Sequence, residues 1–208
     1  KPIFRLQEAL SVEQQRRLLQ GFAGHEDEGL VGTLLASGMR ISEALGLTWA
    51  HVDFQNGCLH VVATLVCTGT GPERRFRLRP YNKNRHHRTV YLTPEQMRYL
   101  ELQRSRQLSC QRLSQGLWDP TIPDLVFADD FGRPLAYNTV ARRFKRKVRS
   151  LGDDMAAVHL HTLRHTAASN FYHATKDVLL TKEFLGHSDV RTTELYTHSR
   201  QEDLVAIA

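Results

Sequence analysis

Apolar positions in the amino-terminal part of the chain recur at the spacing of helices. A capping pair, Ser11 and Gln14, precedes an apolar face, so a helix is predicted near 12–23. A second helix is predicted over 27–37 and a short third helix over 41–47. The beginning of the chain is therefore expected to be helical.

The middle of the chain changes to the alternating pattern that is typical of strands. Two segments, "CLHVVATL" and "RRFRLRP", are predicted as strands, and the glycine-rich "CTGTGPE" between them supplies a turn. A third strand is predicted at "HRTVYL". We therefore expect one small three-stranded antiparallel sheet.

Helical spacing returns after this sheet. Thr93 and Pro94 are a typical helix cap and first helical residue, and they begin a long helix that reaches about Leu113. Further helices are predicted at 138–151, 162–174, 177–185 and 189–196. The fold class expected is α+β, mostly α-helical with a small three-stranded antiparallel sheet, in one domain over 1–208.

Composition limits the class of protein. The chain has 208 residues, 41% of them hydrophobic and 24% charged, which is ordinary for a soluble globular domain. No apolar run approaches the roughly 20 residues of a membrane span, and no signal peptide is evident. Three cysteines, at 58, 67 and 110, form no Cys-x-x-Cys pair, which fits a reducing cytosol and argues against a cysteine-rich zinc module.

Positive charge adds information about the partner. The net charge is +6 and the pI about 9.5, which favour a polyanion. In "ARRFKRKVRS" and its flanks, Val140, Phe144 and Val148 form one apolar stripe, so this helix can dock by the stripe and expose its cations. Its candidate phosphate contacts are Arg142, Arg143, Lys145, Arg146 and Lys147. A solvated surface helix is the alternative interpretation.

Two short segments contain residues suited to binding an anion. In "HTLRHTAAS", His161 and Arg164 are three apart near a helix start, so the imidazole and the guanidinium share a face. In "SGMRISEALGL", Arg40 opens a helix and Glu43 can hold its guanidinium. Taken singly, a capping histidine with a surface arginine would be the commoner explanation of the first segment, and a structural Arg–Glu pair would explain the second equally well.

Four segments in this order narrow the possibilities. "SGMRISEALGL", "KNRHHRTVYL", "HTLRHTAAS" and "LGHSDVRTTELYTH" closely resemble the catalytic domain of tyrosine recombinases, the phage-integrase family. The resemblance spans roughly residues 10–198. Its most specific parts are His-x-x-Arg-His-Thr and Leu-Gly-His with a tyrosine nine residues after that histidine.

The resemblance implies how the scissile phosphate is held. Arg40 and Arg164 would clamp its non-bridging oxygens, and Glu43 would steady Arg40. His161 and His187 would hydrogen-bond the phosphate, and His161 could also accept the tyrosine proton. These roles follow from the family alone and are expectations for this chain.

The resemblance also implies the two groups that exchange bonds at phosphorus. Tyr196 would be the nucleophile that forms a 3′-phosphotyrosyl bond with DNA. Lys83 would protonate the departing 5′ oxygen. The distance along the chain from Arg40 to Lys83 is longer than a compact hairpin needs, so Arg85 and Arg88 compete with Lys83 for the phosphate.

No metal or cofactor is expected, since the sequence has no EF-hand loop, carboxylate cluster or P-loop. The expected partners are double-stranded DNA recombination sites, a homo-tetramer on DNA, and accessory DNA-bending proteins, with no membrane. The chain begins with Lys1 and has no core-binding domain, so we expect a carboxy-terminal fragment of a cytoplasmic, nucleoid-bound protein. The apolar ending "LVAIA" packs in cis or on a neighbouring protomer.

Three other functions compete with this reading. A metal-dependent hydrolase could use His159, His161 and His165 as ligands, although no His-Glu-x-x-His motif is present. A DNA-binding module without catalysis is a second alternative, and a type IB topoisomerase is the third. The Leu-Gly-His block and its tyrosine favour a recombinase over a topoisomerase.

Overall fold

The computed structural model describes residues 9–81, 87–119 and 121–186. Within them the chain is mostly helical. The helices are α1 (Val12–Phe22), α2 (Glu28–Ser37), α3 (Ile41–Leu45), α4 (Pro94–Leu113), α5 (Tyr137–Arg149), α6 (Leu160–Thr175) and α7 (Val178–Leu185). The strands are β1 (Val52–Asp53), β2 (Cys58–Val61), β3 (Ala63–Thr68), β4 (Arg75–Pro80) and β5 (Arg88–Tyr91). The predicted α+β class is confirmed, and the helix predicted at 189–196 lies outside the described residues.

The caps that start the helices are those that the sequence indicates. The Ser11 hydroxyl accepts from the Gln14 backbone, and the Gln14 side chain accepts from the Ser11 amide, which begins α1. Thr93 and Gln96 repeat this reciprocal arrangement at the start of α4. Because each pair satisfies two amides that the helix cannot, these starts depend on local sequence alone.

The predicted three-stranded antiparallel sheet is present, but the described residues also form a second sheet, of two strands, that was not predicted. In the first sheet β2 lies between β1 and β5, and in the second β3 pairs only with β4, all antiparallel. Val62 separates β2 from β3, and its carbonyl accepts from the Tyr81 amide just after β4. The β3–β4 hairpin is thus inserted between the adjacent strands β2 and β5.

Helix α2 lies at the centre of the core and ends just before Arg40. It packs against both α4 and α6, and most of its residues are buried on every side. Gly32 lets the Tyr99 ring approach so closely that a Cβ would stand 2.2 Å from its Cγ. Gly38 then ends α2 in the left-handed conformation with φ of 61°, which turns the chain into Arg40.

Helix α5 docks through the apolar stripe that its sequence predicts. Val140, Phe144 and Val148 are all at most 1% exposed, and the Phe144 ring stacks on Phe22 at 5.5 Å between centroids. Burying each such side chain stabilises the fold by about 1.5–3 kcal/mol. The opposite face of α5 is thereby left to its basic residues.

Among the described residues, none of the helices combines the length and the apolar character that crossing a bilayer requires.

Candidate active site

Arg164 joins three parts of the chain that are distant in sequence. It lies on α6, is only 2% exposed, and donates from Nη1 to the Gly38 carbonyl at 2.5 Å. Its Nη2 donates to the Leu185 carbonyl at the end of α7 at 2.8 Å. Helix α6 is thereby tied to the turn before Arg40 and to the residue before Gly186.

Arg40 lies at the start of α3, two residues after Gly38. Its backbone amide donates to Glu43 Oε2 at 2.8 Å, and its Nη1 donates to Glu43 Oε1 at 3.0 Å. The Arg40 side chain is 44% exposed, whereas the Glu43 side chain is fully buried. Glu43 therefore orients Arg40 from beneath while part of the guanidinium faces outward.

Glu43 is the centre of a larger network than the sequence predicted. Arg88 donates from Nη1 and Nη2 to the two carboxylate oxygens at 3.1 and 2.7 Å, and the Tyr81 hydroxyl donates to Oε1 at 2.5 Å. Burial works to raise the pKa of Glu43, but the bonds from Arg88, Tyr81 and the Arg40 amide outweigh it and lower that pKa to about 2. Glu43 is thus a carboxylate at any physiological pH.

Tyr81 serves as a donor to this carboxylate. Burial, and then the bond to Glu43 and its charge, raises the pKa of Tyr81 to about 12. A phenol held protonated in this way is a poor nucleophile, because attack requires the phenolate. The structure therefore gives Tyr81 a supporting role, and it had none in the sequence-based interpretation.

The histidines of α6 divide into a cap and a ring pair. His159, not His161, caps the helix, since its Nδ1 accepts from the Thr162 amide at 3.3 Å. The His161 ring lies edge-on to His165 with centroids 4.4 Å apart. His161 therefore does not cap α6, although its motif allowed that interpretation.

Positive charge converges on His161. Burial of the ring lowers the pKa of His161, and the charges of Arg164, His159 and Arg40 lower it further. Arg164, one turn after His161 on α6, bonds the Gly38 carbonyl two residues before Arg40, so α6 and the start of α3 meet here. Arg40, His161 and Arg164 therefore form one cationic cluster with a neutral imidazole, as expected for an anion site. Lys83, His187 and Tyr196 lie outside the described residues.

Arg88 uses its guanidinium for bonds within the protein and does not face an open phosphate position. Its side chain is 7% exposed, and besides both Glu43 oxygens its Nε reaches the Phe184 carbonyl at 3.0 Å. The hypothesis that Arg88 competes with Lys83 for the phosphate is therefore wrong. No sequence signal separates a buried arginine at the start of a strand from an exposed one, and Arg85 lies outside the described residues.

The basic helix α5 is only partly available to DNA. Arg143 bonds to Glu26 Oε2 at 2.6 Å and to both oxygens of the buried Asp27 at 2.5 and 3.1 Å, and its side chain is 17% exposed. Its assignment as a DNA contact is therefore corrected to a structural ion pair. Lys145 bonds the Ala156 carbonyl.

Exposed cations form a surface that extends from α5 to β4. On α5, Arg142 and Arg146 are exposed, Lys147 is partly exposed, and Arg142 shares an open groove with Arg74 and Lys145. On β4 three exposed arginines alternate with the partly buried Phe76 and Leu78. These arginines are Arg75, Arg77 and Arg79. This β4 row was missed, although the alternation in "RRFRLRP" predicts it.

The proposed histidine metal site does not form a ligand set. His159 already uses Nδ1 to cap α6, and its ring lies 6.5 Å from His161. In the described part of the chain, donor atoms do approach one another at Asp53, Cys58 and His60 on the β1–β2 hairpin. There Asp53 accepts from Asn56 and His60 bonds Thr89, so hydrogen bonds account for those groups.

Known proteins resemble this chain over nearly its whole length. Tyrosine recombinase XerC of Pseudomonas savastanoi pv. phaseolicola (strain 1448A / Race 6) is 28% identical over 209 residues, which cover 98% of this chain and 60% of XerC. Tyrosine recombinase XerD of Lacticaseibacillus casei is 28% identical over 188 residues, covering 88% of this chain and 54% of XerD. The chain thus spans about 60% of the length of such relatives.

Solved structures share the fold. The Tn1549 transposon integrase in complex with a circular intermediate DNA superposes with a TM-score of 0.78 at 20% identity, covering 96% of this chain and 64% of that one. XerA recombinase gives a TM-score of 0.71 at 23% identity, covering 100% and 65%. The model of the phage integrase family matches residues 8–203. This chain belongs to the phage integrase family.

Proposed function

We propose that this chain is the catalytic part of a site-specific DNA recombinase that cleaves and rejoins DNA through a 3′-phosphotyrosine. The observation that carries the proposal is the convergence of Arg40, Arg164 and His161 on one cationic cluster, with Glu43 fixed beneath Arg40. Membership of the phage integrase family supports it, since the relatives are tyrosine recombinases.

The two arginines would act mainly on the transition state. Arg164 is held in place by its bonds to the Gly38 and Leu185 carbonyls, and Arg40 by its bond to Glu43. Charge builds on the non-bridging oxygens as phosphorus becomes five-coordinate, and fixed guanidiniums stabilise it without reorganising. In phosphoryl transfer one such arginine contributes about 10³–10⁵ in rate.

The proposed nucleophile is Tyr196, nine residues after His187. A free tyrosine has a pKa near 10, so at pH 7 only about one molecule in 10³ is the phenolate. Removing the proton as attack proceeds lowers that barrier, and His161 can accept it because its lowered pKa leaves the imidazole neutral near pH 7. The new P–O bond to Tyr196 replaces the bond to the 5′ oxygen, which Lys83 would protonate as it leaves.

The substrate proposed is double-stranded DNA at recombination sites. Related structures contain such DNA: XerH is bound to a difH substrate, and a lambda integrase dimer is bound to a core site. For this chain the exposed cations of α5 and β4 support a DNA partner. Assembly as a tetramer on DNA, help from accessory DNA-bending proteins, and a place at the nucleoid are parts of the same proposal.

The test is covalent capture on nicked DNA. Duplexes from a pool of candidate attachment sites, each nicked next to the cleavage position, release the small product and trap the enzyme on the 3′ end. We expect a trapped complex in EDTA, and none with Tyr196→Phe, while DNA binding by that variant is unchanged. An adduct formed equally well by Tyr196→Phe would assign the nucleophile elsewhere.

A second assay, the relaxation of supercoiled plasmids, separates a recombinase from a topoisomerase. A type IB topoisomerase-like enzyme would relax plasmids that lack any attachment site, whereas a site-specific recombinase would leave them supercoiled. Both the family and the relatives support the recombinase.

A further inference from the structure

Arg88 is bound by more elements than any role in strand pairing requires. It begins β5, yet all three of its guanidinium nitrogens bond to other parts of the chain. Two of them face Glu43 in the paired geometry that matches a fork of N–H groups to a carboxylate. The third, Nε, donates to the Phe184 carbonyl on α7.

The first consequence concerns charge. Glu43 carries one negative charge and contacts two guanidiniums, a buried one on Arg88 and a half-exposed one on Arg40. If Arg40 were the only partner, the pair would be close to neutral and would attract a phosphate weakly. With Arg88 balancing the carboxylate, Arg40 is oriented by Glu43 and still presents a net positive charge.

The second consequence concerns the path of the chain. Arg88 holds the Phe184 carbonyl, and Arg164 holds the next one, Leu185. Gly186 follows in the left-handed conformation with φ of 64°, and a Cβ there would lie 2.9 Å from Arg88 Nη1. Gly186, the residue before His187, therefore lies directly against the Arg88 side chain.

We propose that Arg88 is a positioning residue of the phosphate site: it joins the Arg40–Glu43 pair to the carboxy-terminal end of α7. In this role it contacts no DNA. It balances the charge of Glu43, so that Glu43 orients Arg40 without neutralising the pair, and it holds the end of α7. The proposal rests on the proposed function, because it assigns a role within that reaction.

The rate experiment uses Arg88→Lys in the full chain. Lysine keeps the charge, but one ammonium cannot span both Glu43 oxygens and the Phe184 carbonyl. Single-turnover trapping on nicked duplex is measured at saturating DNA, with Kd measured separately. We expect the rate to fall about 10²-fold, as for a misplaced reacting group, with Kd within about threefold of wild type. Arg98→Lys, an exposed arginine on α4, is the matched control and should match wild type.

The pH profile gives a readout that a purely structural role would not change. Burial works to raise the pKa of Glu43, and Arg88 is the largest group opposing it, so Arg88→Gln should raise that pKa above its value in the wild type. Arg40 and Tyr81, the other groups facing Glu43, remain. On acidification the trapping rate of Arg88→Gln should then decline at a higher pH than that of the wild type, whereas the double variant Arg88→Gln with Glu43→Gln should show no such decline.

The outcomes separate the two proposals. If wild type forms no adduct on any duplex, the proposed function fails, whatever Arg88 does. If wild type forms the adduct and Arg88→Lys traps at the wild-type rate, the positioning role is overturned. A loss of DNA affinity in proportion to the loss of rate would also overturn it, since Arg88 would then be a DNA contact.

Discussion

At the scale of residues, sequence motifs identify the groups that face the substrate better than those that hold them. Arg40, Arg164 and His161 were predicted from short motifs, and the structure brings them together. Arg88 and Tyr81 were missed as supports because their contacts with Glu43 join positions about 40 residues apart in sequence. A strand pattern carries no information about such pairing.

Substitutions of Arg164 and Arg40, the two arginines proposed to bind the phosphate, should differ in their effect on protein stability but not in their effect on the trapping rate. Arg164→Lys leaves at least one buried carbonyl, Gly38 or Leu185, without its donor, which costs about 1–3 kcal/mol. For a chain of this size that lowers Tm by roughly 2–4 °C per kcal/mol. Arg40→Lys, at a half-exposed position, should leave Tm within about 2 °C of wild type on the same scale.

Calorimetry and single-turnover trapping on both variants check this contrast. Both substitutions should reduce the trapping rate by at least about 10²-fold, because each removes a planar donor pair from the phosphate. Equal losses of Tm would contradict the different burial of the two side chains.

His165 should make the fold sensitive to acid. Burial, and then the charges of His161 and Arg164, lowers the pKa of His165 to about 4. The unfolded chain has an ordinary histidine pKa of about 6.5, so between these values it binds a proton that the folded chain does not. The free energy of unfolding should therefore fall as the pH drops from about 6.5 to about 4.

Urea denaturation at several pH values in this window measures that slope. His165→Gln cannot bind the proton, so its free energy of unfolding should depend less steeply on pH there. An unchanged slope in His165→Gln would assign the acid sensitivity to other groups.

At the scale of elements, helix starts were predictable and sheet partners were not. Ser11 and Thr93 cap their helices through contacts three residues away, which a sequence displays directly. The run "CLHVVATL" shows no break at Val62, yet its two halves pair with different strands. That division depends on the Tyr81 amide reaching the Val62 carbonyl, a contact between distant positions.

Helix α5 offers a matched pair of arginines for testing DNA contact. Arg142 is exposed, whereas Arg143 is paired with Glu26 and the buried Asp27. Arg142→Ala should reduce the slope of log K against log salt by about 1 and leave stability unchanged. Arg143→Ala should keep the slope but lose on the order of 3 kcal/mol, because Asp27 loses its partner.

Fluorescence anisotropy with labelled duplex DNA at several salt concentrations gives the slopes, and urea denaturation gives the stabilities. If both variants reduce the salt slope equally, the ion pair of Arg143 opens on DNA. The corrected assignment of Arg143 would then be wrong.

At the scale of the whole molecule, the sequence was sufficient for the family and the fold class. Four motifs spread over most of the chain indicated the phage integrase family, and the family model and the related folds confirm it. The fold gathers those motifs by ending α2 beside α6 and by anchoring the end of α7 to Arg164. Gly38 matters to that gathering, since a Cβ there would lie 2.9 Å from the Phe184 ring.

The central claim is that a phenol assisted by these cations becomes bonded to DNA. The most direct test traps the protein on a nicked duplex in EDTA, digests the complex with nuclease and trypsin, and analyses the peptides by mass spectrometry. The peptide of interest is 192–200, "TTELYTHSR", because Tyr196 is the one tyrosine in it. We predict a nucleotide 3′-phosphate on this peptide in the wild type and none in Arg40→Ala. A nucleotide on any other peptide, or a trapped complex in Arg40→Ala at the wild-type rate, would contradict the account.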